Sequence, residues 1–248
     1  MLVVLDWPGY DAIENPQMHK AFVEAHDPVD QAVSYSFFGD DAEAYAKMQG
    51  GFEADIVHPC LPWWGLYANS GLVQPLDTSK LSNWGGVDTR MASFGAFNGE
   101  QYFIPYDWGY ESMLVRTDLV DEVPDSWADL WDPQYAGKIA LYDGGENNHI
   151  FTALTIGLDP WAVTPEQEQQ IQDRLIELIP NVVTYWSSYD QAVELARSGD
   201  AAIVVNTWQD AYFTLQSEGY DVAYVEPSEG RLGWICGFGI SANAKHPD

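Results

Sequence analysis

Residues 188–225 read SYDQAVELARSGDAAIVVNTWQDAYFTLQSEGYDVAYV, and this stretch decides the fold class. Ser188 followed three residues on by Gln191 is a capping-box pattern, in which two side chains satisfy free amides at a helix start. It opens a helix that stops at Gly199, since glycine takes the left-handed turn at a helix end without a steric penalty. Ala201–Asn206 is a short apolar strand, Gln209–Glu218 a second helix closed by Gly219, and Val222–Val225 a further strand. Strands alternating with helices at these short intervals make an α/β sheet.

The same rhythm extends upstream. Ser126 caps Trp127–Trp131 with Asp129 at the third position, and Ile139–Tyr142 is an apolar strand. Thr164-Pro165-Glu166-Gln167 is a capping box with proline at the first helical position. Its helix buries Ile171, Leu175 and Leu178 and ends at Pro180. Towards the N-terminus, Leu2–Leu5, Ala32–Phe37 and Ala54–His58 read as strands, and Ala42–Met48 and Trp63–Asn69 as helices, the latter closed by Gly71. Asn15-Pro16 mark another helix start, followed by Met18, Phe22 and Ala25 at helical spacing. There is no internal repeat and no low-complexity stretch.

The 248 residues, 46% of them hydrophobic, suffice for one large or two small domains and exclude wholesale disorder. No run reaches the roughly 18 apolar residues of a membrane helix. Ten Lys plus Arg stand against 38 Asp plus Glu, a net charge of −28. Such a surface repels phosphate backbones, which disfavours nucleic acid and anionic membrane as partners, and it fits either salt adaptation or attraction of a cation. The two cysteines, Cys60 and Cys236, make no CxxC or Cys/His cluster, which disfavours structural zinc, and their even number permits one disulfide without demanding it. Met1 leads directly into an apolar run, and no secretory signal is visible.

In α/β sheets ligands gather beyond the carboxyl ends of the strands. The residues there are Trp7 and Tyr10, Cys60 and Trp63, Asp143 and Glu146, Trp208, and Trp234. An ammonium group is drawn to the faces of Trp and Tyr, at roughly 0.5–2 kcal/mol per contact, while carboxylates fix its charge. The pair Asp143-x-x-Glu146 equally fits the acid and base of a carbohydrate-active hydrolase, or a plain acidic helix start. G-x-S-x-G, G-x-x-x-x-G-K-[ST] and H-E-x-x-H are all missing, which favours binding over catalysis. The five histidines are dispersed; His58 and His149 fall near strand ends.

At these residues the chain resembles the periplasmic spermidine/putrescine-binding proteins of ABC transporters. Leu5-Asp6-Trp7-Pro8-Gly9-Tyr10 is similar to the family's strand followed by N-W-x-x-Y, and Ala54-Asp55-Ile56-Val57-His58-Pro59-Cys60 to its Y-D-[LV]-V-x-P-S. Tyr102-Phe103-Ile104-Pro105-Tyr106-Asp107-Trp108-Gly109 is similar to Y-x-[IV]-P-Y-x-W-G. Ser126–Trp131 with Tyr135-Ala136-Gly137-Lys138, and Gly233-Trp234 with Ile240–Lys245, complete five motifs in register. The resemblance implies a two-domain periplasmic-binding-protein fold of type II-like character with an interdomain ligand cleft. Its first domain comprises 1–109 plus 234–248, and its second 110–233. It implies a non-enzymatic, monomeric receptor, periplasmic or extracellular and membrane-associated, that delivers a small cationic amine to a membrane permease. It implies no cofactor and no metal.

Family ligand positions fall on Trp7, Tyr10, Asp143, Glu146, Trp208 and Trp234. A family serine falls on Cys60, and the aromatic two residues later on Pro62, with Trp63 and Trp64 as substitutes. The family acid two residues past the closing tryptophan falls on Cys236, and Asp6 and Asp107 are the acids placed to compensate. The family continues beyond Asp248, so a C-terminal portion is expected to be missing. The two cysteines are expected close together, and as free thiols, since both family positions face ligand. The same receptor fold with a quaternary amine, an amino-sugar derivative or an anion is the alternative.

Overall fold

The computed structural model describes residues 1–11 and 33–247. The helix start expected at Asn15-Pro16, with Met18, Phe22 and Ala25, lies outside the described residues. The chain divides into two compact units, 1–108 with 234–248, and 109–233.

In the first unit β1 (Leu2–Asp6) pairs in parallel with β2 (Val33–Phe37) on one side and β3 (Ile56–Val57) on the other. The returning strand β11 (Leu232–Ile240) lies antiparallel to β3, with Gly239 opposite Val57. Helices α1 (Asp41–Gln49), α2 (Trp63–Asn69) and α3 (Thr89–Phe94) follow the strands, and β4 (Ala96–Phe97) and β5 (Glu100–Gln101) form a small hairpin. Leu5, Val57, Trp64, Tyr67 and Phe103 are wholly buried in its core. Trp64 stacks on Phe103 at 4.9 Å, and its indole N–H donates to the Pro59 carbonyl at 2.6 Å. Trp64 is therefore a core residue, and its expected role as a ligand-facing substitute is corrected: its ring is spent on packing and its one polar atom is satisfied.

The second unit holds residues 109–116 of β6 (Phe103–Arg116), the strand by which the chain enters it. Its sheet has the order β10-β6-β9-β7-β8, from β7 (Ile139–Tyr142), β8 (Val182–Trp186), β9 (Ile203–Trp208) and β10 (Val222–Tyr224). The pairs β7–β8 and β7–β9 are parallel, and β6 is antiparallel to β9 and β10. Side chains alternate between two cores, as the strand period of two dictates. Met113, Val115, Ile139, Leu141, Ile203 and Val205 enter one, while Leu114, Ala140 and Val204 enter the other. Helices α4 (Gly145–Thr155) and α5 (Pro165–Leu178) pack with the first of these cores; α6 (Tyr189–Ser198) and α7 (Gln209–Ser217) pack with the second. Both faces are apolar because both are covered.

Local expectations meet two corrections here. The Ser188 hydroxyl accepts from the Gln191 amide, but the Gln191 side chain reaches the Ser187 amide instead of completing the box at Ser188. The strand expected to end at Asn206 runs on to Trp208, because an irregularity lengthens it: Ser112 sits opposite Thr207 and Leu114 opposite Val204. Asn206 takes up the extra residue in the left-handed region, at φ +64°, where asparagine is tolerated better than most side chains.

Candidate ligand-binding site

The nine residues singled out from sequence divide between the units. Trp7, Tyr10, Cys60, Trp63, Trp234 and Cys236 belong to the first; Asp143, Glu146 and Trp208 belong to the second.

In the first unit β1 ends on Asp6, which is fully buried. Its Oδ1 accepts from the Trp7 amide at 2.8 Å and sits 2.7 Å from His58 Nδ1. His58, just past β3, is also fully buried, and its ring stacks on Phe238 at 4.2 Å. His58 Nε2 lies 3.5 Å from Asp107 Oδ1, a separation that makes this an electrostatic contact rather than a hydrogen bond. The Tyr10 hydroxyl donates to the other oxygen of Asp107. Burial works against charge on His58, but its interactions with Asp107 and Asp6 outweigh that and hold the imidazole above its ordinary range. Sequence reading picked out each of these residues singly; the acid–imidazole–acid chain emerges only when β1, β3 and β6 converge.

Cys60 and Cys236 form a disulfide, which overturns the expectation of free thiols. The two residues are antiparallel bridge partners with Cα atoms 3.9 Å apart, so their side chains meet each other. The expected proximity holds. Trp63 packs its partly buried ring against the first unit's core, 5.6 Å from Tyr45. Trp7 packs there too, edge-on to Phe38 at 4.5 Å. The indole nitrogens of Trp7 and Trp234, Asp6 Oδ2 and Asp107 Oδ1 are buried without a hydrogen-bond partner.

In the second unit Asp143 follows β7, and its amide donates to the Trp186 carbonyl at 2.8 Å. Glu146 lies in the first turn of α4, where the helix dipole favours a carboxylate. Both side chains are exposed. Gly144 between them passes so close to the Tyr142 ring that a Cβ there would collide with it. Trp208, at the end of β9, has Trp186 at 5.8 Å, Tyr189 at 6.4 Å and Tyr142 at 6.5 Å. Acids and aromatic faces thus share the carboxyl ends of the parallel strands β7 and β9.

Glu111 was not anticipated. It sits on β6 directly opposite Trp208 on β9, is 7% exposed, and accepts from the Asn147 side-chain amide. Burial pushes its carboxyl up to about 8; the Glu146 charge adds to this, and hydrogen bonds from Asn147 and Trp208 oppose it. The available signal was an acid separated by one residue, Ser112, from the apolar run Met113–Val115. A depression of about 320 Å³ lined by residues including Thr184, Tyr185 and Gln191 shares no residue with this cluster. Among the described residues no group of three or more His, Cys, Asp or Glu is arranged to hold a metal, and no helix is long and apolar enough to cross a membrane.

A family model described as bacterial extracellular solute-binding protein matches residues 17–248. The chain belongs to this family. It is 28% identical over 221 residues to the spermidine/putrescine-binding periplasmic protein of Escherichia coli K12, covering 87% of this chain and 62% of that protein. The chain therefore spans less than two thirds of that relative's length. The spermidine/putrescine ABC transporter substrate-binding protein PotD of Streptococcus pneumoniae superposes with a TM-score of 0.76 at 25% identity, over 99% of this chain and 74% of that one. A putative spermidine/putrescine ABC transporter protein from Listeria monocytogenes does so with a TM-score of 0.83 at 24% identity, over the same shares. The fold is that of the periplasmic binding proteins. These relatives are named for binding and transport.

Proposed function

We propose that this protein is the solute-binding receptor of an ABC importer and takes a polyamine or related cationic amine for delivery to a membrane permease. The observation that carries the reading is that one unit places the exposed acids Asp143 and Glu146, just past β7, together with a ring cluster of partly buried Trp208, Tyr189 and Tyr142 packed around buried Trp186. Carboxylates fix an ammonium group, and the aromatic faces take its charge and its methylene stem. The net charge of −28 raises the local concentration of cations and speeds their arrival. The relatives' names supply the amine class and periplasmic residence as parts of the proposal, and a monomeric state is proposed with them.

One observation shapes the ligand further. The disulfide joins two positions that the resemblance expects to face ligand, and at Cys236 the resemblance expects an acid. That favours a ligand with one strongly cationic end over a long polyamine, since a desolvated ammonium needs a counter-charge. Calorimetric titration with putrescine, spermidine and a monoamine such as butylamine tests the reading. Binding of at least one amine is expected, and Glu146→Gln should weaken it at least about tenfold (~1.4 kcal/mol). The surface control Glu166→Gln should leave it unchanged. Absence of binding to all three amines rejects the reading.

A further inference from the structure

We propose that Glu111 is a positioning residue for the amine-binding end of the second unit, holding the Trp208 indole and the Asn147 amide in place and releasing its proton to solvent when a cationic ligand settles beside Glu146. The inference rests on the amine-receptor reading above and names a linkage within it.

The geometry leads to it in three steps. Glu111 and Trp208 are direct cross-strand partners on β6 and β9, so the carboxyl lies against the residue proposed as the aromatic platform. Asn147 on α4 donates to Glu111 and directly follows Glu146, which ties the same carboxyl to the exposed acid. The irregular pairing of β6 with β9, with Asn206 at φ +64°, lies beside this pair and sets its register. The Asn206 Nδ2 donates to Asn148 on α4 at 3.3 Å, while its Oδ1 is fully buried without a partner, an acceptor that suits a donor-only ligand such as an ammonium group.

Electrostatics then fixes the direction. Burial and the Glu146 charge hold the Glu111 carboxyl at about 8, so at neutral pH it is largely protonated. The titratable groups facing it are Glu146 on α4 and the Tyr224 phenol on β10, with Arg231 and Asp210 beyond Tyr224. None of these supplies a nearby cation that stabilises a Glu111 carboxylate directly. An arriving ammonium does so, and one opposite charge at short range is enough to shift a buried carboxyl downwards. The proton goes to buffer, the ammonium keeps its own, and charge balances.

The test is calorimetry of putrescine and spermidine binding near pH 7 in phosphate and in Tris, whose ionisation enthalpies differ. The unmodified protein should show a buffer-dependent enthalpy corresponding to release of up to one proton per ligand. Its affinity should rise between pH 6 and 8, by at most about tenfold per pH unit. Glu111→Gln, which keeps the shape and the neutral form, should bind with the buffer and pH dependence removed. Buffer-independent binding by the unmodified protein, or retained dependence in Glu111→Gln, overturns the proposal. No heat with either amine would instead count against the amine reading. Glu111 is then tested without ligand, by tryptophan fluorescence against pH. An inflection near 8 that Glu111→Gln abolishes supports its coupling to Trp208, and a flat profile overturns it.

Discussion

Two buried ionisable side chains, Glu111 and His58, both hold protons more tightly in the folded chain, so both weaken the fold as pH rises. Glu111 holds a proton in the folded chain up to about 8 but would lose it near 4.5 when unfolded. The folded state therefore binds more protons between those values, and the stability Glu111 contributes at low pH is lost as pH rises through them. Urea midpoints of the unmodified protein should fall relative to those of Glu111→Gln across this window; parallel curves would show that Glu111 ionises freely. His58 is held above its ordinary range by Asp107 and Asp6. Its contribution is complete below the unfolded imidazole value and disappears as pH rises through the folded one. His58→Leu leaves fully buried Asp6 without its cation and should cost about 3 kcal/mol at pH 6. The gap should narrow towards pH 9, and a gap independent of pH would mean a neutral imidazole. Neither signature was legible in sequence: His58 stood out only as one of two histidines near strand ends and Glu111 not at all, because the burial and pairing that set their charge are created by distant strands.

At the scale of the element, sequence and structure agree best where the decisive groups are neighbours in the chain. Thr164 and Gln167 make both bonds of a capping box, 2.8 Å from the Thr164 amide and 3.3 Å from the Gln167 amide. Ser126 and Asp129 do likewise for the short 3₁₀ helix Trp127–Trp131. At Ser188 only the hydroxyl bond forms, at 3.4 Å, because Gln191 caps Ser187. Thr164→Ala should therefore cost about 1 kcal/mol, and Ser188→Ala less, both read from thermal unfolding. Equal costs would show that the reciprocal bond adds nothing. The strand β6 was the chief element left unread, because its apolar residues Met113, Leu114 and Val115 feed alternating cores and show no period-two pattern. Its reading as a strand needs the sheet on both sides.

For the molecule as a whole, the disulfide closes a loop with a sequence separation of 176 residues. Replacing both cysteines by serine should cost about 2–5 kcal/mol by releasing the unfolded chain. Thiol titration of denatured, unreduced protein should find no reactive groups; two per chain would refute the bridge. The charge of −28 makes a second demand, self-repulsion that salt screens over a Debye length of about 8 Å at physiological strength. The melting temperature should rise between low and physiological salt, and an unchanged value would mean the charges are already dispersed or paired. The α/β class, most helix starts, the acidic and aromatic residues at the strand ends and the family resemblance were all determined by sequence alone, since caps, periodicity and motifs are local patterns. The disulfide, the Asp6–His58–Asp107 chain and the Glu111–Asn147–Trp208 cluster were decided only by tertiary structure. Each joins residues tens to more than a hundred positions apart, and their pairing, burial and charge exist only once the strands lie side by side.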